Sequence, residues 1–181
     1  MTKAELLRAA PFIAMLLLAT ALAFGLFSGN APGGLNERLI GYHVAPFDVP
    51  LLGNKEAHFS PAAWQGRVAV LNVFASWCEP CAVEHEVLMK IAKSGKVAVY
   101  GLAWRDKPEK ATEWIRQRGN PYQAIGVDEH GKSTVALALT GVPETFVLDR
   151  DGLIAYHYNG ALTDDLADNL ILPLVEKLNA K

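Results

Sequence analysis

Apolar and polar positions divide the chain into an uncharged leader and an alternation of strand-like and helix-like segments. From Ala9 to Phe27 no charged residue occurs; Lys3 and Arg8 precede the run, and the turn-rich stretch Ser28 to Gly34 follows it. About 20 apolar residues span a bilayer core, so the run is just long enough to cross, and the positive charges ahead of it predict a cytoplasmic N-terminus. A cleaved signal peptide is the alternative, with Ala21-Leu22-Ala23 as the cleavage site, but its apolar region would exceed the usual span of about 7–15 residues. The expected organisation is a short cytoplasmic N-terminus over 1–8, a transmembrane signal-anchor over 9–27, a linker over 28–38 and an exported domain over 39–181.

Within that domain, Leu39 to Leu51 is apolar and punctuated by Gly41, Pro46 and Pro50, which predicts an edge strand or hairpin arm. Ser60-Pro61 has the form of an N-cap followed by proline at the first helical position, predicting one helical turn that ends near Gly66. Val68 to Ala75 is nearly continuously apolar and β-branched, the pattern of a central strand covered on both faces. Cys78 to Lys93 has helical spacing, with Val83, Val87, Leu88 and Ile91 on one face and Glu84, His85, Glu86 and Lys90 elsewhere. A strand over Val97 to Trp104 closes a strand-helix-strand unit, whose crossover is expected to be right-handed. Lys107 to Arg118 predicts a second helix stopped by Gly119-Asn120-Pro121, and a brief strand follows through Ala124-Ile125. The turn Asp128 to Gly131 leads to a short helix over Ser133 to Leu139. Strands over Glu144 to Asp149 and Leu153 to Tyr158 are joined through Arg150-Asp151-Gly152. A last helix runs from a Thr163 cap to about Leu178, kinked or restarted at Pro173.

Composition adds constraints to this outline. At 181 residues, 51% hydrophobic and 20% charged, the chain has the mixture of one globular domain with an appendage. A net charge of -2 gives no basic surface for a phosphate backbone, so nucleic acid is not expected as a partner. Two cysteines are too few for a disulfide-stapled extracellular scaffold or for an all-cysteine zinc site.

Those two cysteines, Cys78 and Cys81, stand three apart at a strand-to-helix junction, and redox exchange is the leading reading. The thiolate is the attacking form, and a helix N-terminus stabilises negative charge, so Cys78 is expected to be exposed there as the nucleophile. Cys81, almost one turn further in, is placed to resolve the mixed disulfide, and Pro80 fixes a backbone angle in the first turn. Inert thiols, a permanent disulfide, and a metal site on Cys78, Cys81 and His85 are the alternatives, the last short of a fourth ligand. Covalent haem attachment would require histidine at position 82, which is alanine.

Leu71 to Cys81 and Gly141-Val142-Pro143-Glu144-Thr145-Phe146 resemble the thioredoxin superfamily. More narrowly, Cys78-x-x-Cys81-x-x-Glu84-His85, Gly119-Asn120-Pro121-Tyr122 and Val142 to Phe146 resemble the membrane-anchored thiol:disulfide interchange proteins of cytochrome c maturation, the CcmG/DsbE group. The resemblance covers about Gly41 to Leu178. It implies a thioredoxin-like α/β fold, a central mixed sheet flanked by helices, and no cofactor.

It also implies roles for individual residues. Pro143 matches the cis-proline beside the CxxC, leaving the backbone of Val142, with Thr145 nearby, to receive an extended peptide. Glu84 and Glu144 match the acidic residues that tune this group's active site, with Glu79 adding to them; Trp77, just ahead of the nucleophile, is open between structural packing and covering it. A carboxylate near Cys78 disfavours its thiolate and makes the pair more reducing. For Glu84 a solvated helix face is the plain alternative. Asn72 departs from the buried aspartate of many thioredoxins, so a proton acceptor for Cys81 must be found in Glu84, Glu144 or water. Trp104 and Trp114 are expected to pack, and His43, His58, His130 and His157 to lie at the surface. The implied activity is reduction of the CxxCH disulfide of apocytochrome c, or of another thiol protein of that maturation system. The setting would be the periplasmic side of the bacterial inner membrane, with a membrane electron donor for re-reduction. A reductant for a copper-site assembly factor and a non-catalytic metal-binding module are the competing readings.

Overall fold

The computed structural model describes residues 12, 15–18, 20 and 39–180. The expected N-terminus over 1–8 and linker over 28–38 lie outside these residues, as does most of the expected anchor over 9–27. Among the described residues no helix is long and apolar enough to cross a membrane.

Seven strands form one mixed sheet: β1 (Val49–Leu51), β2 (Asn54–Phe59), β3 (Ala69–Phe74), β4 (Ala98–Trp104), β5 (Ile125–Asp128), β6 (Glu144–Leu148) and β7 (Ile154–Asn159). Their order is β2-β1-β5-β4-β3-β6-β7, with β3-β4 and β4-β5 parallel and the other pairs antiparallel. All six residues of β3 are buried, as a continuous apolar run in a covered central strand requires. A single 3-10 turn, Pro61–Trp64, stands where Ser60-Pro61 predicts one. The arm before it is a hairpin arm, β1 pairing antiparallel with β2, and not an edge strand. β1 is flanked on both sides, and the sheet edge is β2, whose sequence Asn-Lys-Glu-Ala-His-Phe buries only Phe59. Gly126 of β5 leaves room for that arrangement, since a Cβ there would meet the Phe59 ring and approach Val49 Cγ2 at 2.8 Å.

Alternation along the strands separates two apolar layers. On one face Val70, Phe74, Val99, Ala103 and Val147 pack with Leu88 and Ile91 of the Glu79–Lys93 helix, with Trp114, and with Ile171 and Val175 near the C-terminus. On the other, Leu71, Val73, Leu102, Phe146 and Leu148 pack with Phe59, Trp64, Leu137 and Leu139. The Glu79–Lys93 helix buries Val87, Leu88 and Ile91 as its apolar spacing predicts, but its inward stripe is shifted to take in polar residues and leaves out Val83. Cys81, Glu84, His85, Leu88 and Ile91 are buried at helical spacing, whereas Val83 is 69% exposed. Polar partners on neighbouring elements, described below, make that stripe tolerable.

The last helix is broken as Pro173 requires. Asp164–Leu166, capped by the Thr163 hydroxyl accepting from Leu166 N at 3.2 Å, opens into a π turn, Ala167–Ile171, before Leu172–Asn179. Proline cannot donate to the carbonyl four residues back, and a widened turn next to it accommodates the lost bond.

Candidate active site

The strand-to-helix junction places Cys78 as N-cap of the Glu79–Lys93 helix, with its Sγ accepting from Cys81 N at 3.1 Å. Cys78 and Cys81 form a disulfide, Cα–Cα 5.3 Å. The exposure expected of Cys78 is reduced to 5%, against 0% for Cys81, because the bonded pair folds into the apolar cluster that contains Phe74 and Ala75. What access remains is therefore on Cys78. Glu79 and Pro80, the intervening residues, are exposed.

Glu84 lies one helical turn beyond Cys81, and with 0% exposure it is no solvated helix face. Its Oε1 accepts from Asn72 Nδ2 at 2.8 Å and its Oε2 from Leu162 N at 2.8 Å. Burial, opposed by these two bonds, raises its pKa from 4.5 to about 7. Asn72 also donates to Thr145 Oγ1 at 3.1 Å and accepts from the Tyr122 hydroxyl at 2.8 Å. The tyrosine bond fixes the amide, so that Nδ2 faces the carboxyl. Burial, with the Glu84 charge, pushes Tyr122 well above its usual value. Asn72 thus occupies the helix-facing side of β3 and holds a carboxyl that the helix supplies one turn beyond Cys81. His85 beside it is held by Nε2 contact to Gly119 O at 3.1 Å and by edge-on packing against Trp114, and burial lowers its pKa.

Glu144 belongs to a different environment. Thr145 and Glu144 are successive on β6, so one points with Asn72 and the other to the opposite face. Glu144 Oε2 contacts His157 Nε2 at 2.7 Å, while its Oε1 accepts from Thr140 N, Thr140 Oγ1 and Gly141 N at 2.7, 2.9 and 3.0 Å. Burial acts to raise its pKa but is outweighed by the His157, Thr140 and Gly141 bonds, and the net shift is downward. The loop it holds carries the cis Val142–Pro143 bond, and Val142 packs against the cluster containing both cysteines.

A Redoxin family profile matches residues 41–171. The chain belongs to this family. Its relatives include the thiol:disulfide interchange protein DsbE of Pasteurella multocida, 36% identical over 171 residues, 93% of this chain and 94% of that one. The DsbE of Escherichia coli K12 is 34% identical over 171 residues and 92% of each chain. A secreted thiol-disulfide isomerase from Corynebacterium glutamicum shares the fold at a TM-score of 0.65 and 22% identity, covering 74% of this chain and 85% of that one. This Redoxin chain is a thioredoxin-like thiol:disulfide oxidoreductase.

Several residues of the Redoxin site stand differently from expectation. Thr145, expected among the partner contacts, has no exposed surface and serves Asn72. His157, expected at the surface, is 4% exposed, because the Glu144 carboxylate and the Phe146 ring stacked on it at 4.3 Å enclose it. Trp77 is 59% exposed, and its indole donates to Arg105 O at 3.1 Å. The acidic residues are not one patch, since Glu79 is exposed and Glu84 and Glu144 are buried on opposite faces of the sheet. Among the described residues no group of three or more histidine, cysteine or acidic side chains could hold a metal ion.

Two supports were not singled out from the sequence. Asp106, 5% exposed, accepts from Ser76 N at 2.6 Å, Ser76 Oγ at 2.8 Å and Lys107 N at 2.9 Å, tying the loop before Cys78 to the next strand's end. Tyr122 is the other. It stands in the Gly119 to Tyr122 motif, where only its hydrogen bond to Asn72 across 50 residues discloses its purpose.

Proposed function

We propose that this protein is a reductant for disulfides in exported polypeptides, with the CxxCH disulfide of apocytochrome c, before haem attachment, as its substrate. The observation that carries the reading is a CxxC disulfide whose second cysteine lies one turn from a buried carboxyl with a pKa near 7. In the working direction, the Cys78 thiolate attacks one substrate sulfur and the substrate's other sulfur leaves as thiolate. The Cys81 thiol then gives its proton to Glu84 and attacks Cys78 Sγ, which closes the Cys78–Cys81 disulfide and releases the second substrate thiolate. The substrate gains two electrons and the protein loses them, so a membrane electron donor must restore the dithiol. An anionic Glu84 close to the pair disfavours the thiolate form and with it the reduced state, which makes the pair a stronger reductant. Val142, ahead of the cis-proline, is the backbone that receives the substrate as an extended strand.

The uncharged run over 9–27 supports a single-pass anchor in the bacterial inner membrane, with the redox domain in the periplasm. Reduction of a CxxCH peptide disulfide should be rapid and insulin reduction poor. Equal rates for the two would overturn the substrate assignment.

A further inference from the structure

We infer that His157 is a positioning residue for disulfide exchange, acting through Glu144 on the Thr140–Pro143 loop. The inference rests on the reading of Val142 as the backbone that receives the substrate. β7 and Gly160, the residue after it, hold that loop at three points. His157 reaches Glu144, Asn159 Nδ2 donates to Thr140 Oγ1, and Gly160 N donates to Pro143 O at 3.0 Å. The Thr140 hydroxyl in turn donates to Glu144 Oε1, so the donors run from Asn159 through Thr140 to the carboxylate, and His157 meets the same carboxylate at its other oxygen. An ionised carboxylate only accepts, so His157 Nε2 is the donor.

The chemistry of the ring argues that this bond is its purpose. His157 pairs with Phe146 across β6 and β7 and stacks on it at an interplanar angle of 7°, a place an apolar ring would fill. Instead the position carries an imidazole whose Nδ1 is buried without a partner. A buried unpaired nitrogen is unfavourable, and what offsets it is the bond from Nε2 to a carboxylate that gathers three donors of the loop ahead of the cis-proline. Removing that donor leaves the buried Oε2 without its partner, so the carboxylate that gathers the loop is fixed through Oε1 alone.

The test uses pre-reduced full-length protein mixed with excess oxidised CxxCH peptide and followed by tryptophan fluorescence. It yields a half-saturating peptide concentration and a limiting rate. His157→Leu should raise the half-saturating concentration about tenfold, the equivalent of one charge-assisted hydrogen bond, with a fall in limiting rate of less than about threefold. His157→Gln, which can still donate to Glu144, should restore most of that loss. If the leucine variant does not fold, His157→Asn, which falls short of the carboxylate, carries the same expectation. An unchanged half-saturating concentration in the leucine or asparagine variant, or a glutamine variant no better than leucine, overturns the inference. Wild-type protein that reacts with cystamine, a disulfide lacking peptide backbone, as readily as with the peptide overturns instead the reading of Val142.

Discussion

Replacing Glu84 with glutamine should remove a defined portion of the protein's pH-dependent stability. The carboxyl has a pKa of about 7 in the folded chain against 4.5 for an ordinary glutamate. The difference of about 2.5 units, at 1.36 kcal/mol per unit, is worth about 3 kcal/mol. Because the folded-state value is the higher one, the folded protein holds an extra proton between pH 4.5 and 7. Its stability from this group is complete below pH 4.5, declines across that window as pH rises, and stays low above it. Glutamine cannot ionise and resembles the protonated acid, accepting from Leu162 N through its carbonyl while losing one of the two acceptors that Asn72 and Leu162 now use. The lost bond adds a constant offset of about 1 kcal/mol. Guanidinium chloride unfolding of both oxidised proteins at several pH values should give a wild-type minus variant difference that falls by about 3 kcal/mol between pH 4 and 8. A difference that does not change with pH would refute the raised pKa and the role of Glu84 as proton acceptor near neutrality.

Asp106→Ala removes the acceptor of three hydrogen bonds at the base of the active-site loop and should cost about 2–3 kcal/mol in denaturant unfolding; a loss below about 0.5 kcal/mol would mean the loop is held by other contacts. The anchor proposed for 9–27 should keep the protein in the membrane pellet through alkaline carbonate extraction, whereas release into the supernatant would point to a cleaved leader.

Where a residue's neighbours in sequence determine its surroundings, the pattern of the chain disclosed the structure. The apolar run of β3, the Ser60-Pro61 turn, the CxxC at a helix start and the break at Pro173 are of this kind. Apolar periodicity misled where burial is polar. It turned Val83 inward and left Glu84 and His85 outside, because the partners that make their burial possible, Asn72, Leu162 and Gly119, lie 12, 78 and 34 residues away. The sequence pattern places His157 at the surface for the same reason, its carboxylate partner being across a strand pair. β2 escaped notice because an edge strand needs little apolar alternation, and only Phe59 of its six residues is buried. The resemblance to the CcmG/DsbE group marked Glu84 and Glu144 together, but only the register of β3 against β6 separates them onto opposite faces.

The central claim is that Cys78 attacks an exported polypeptide's CxxCH disulfide and Cys81 resolves it. Expressing Cys81→Ser in cells making c-type cytochromes, and separating the products without reductant, should trap a dithiothreitol-sensitive conjugate of Cys78 with an apocytochrome c. A conjugate obtained only with Cys78→Ser, or one whose partner lacks a CxxCH motif, would contradict it.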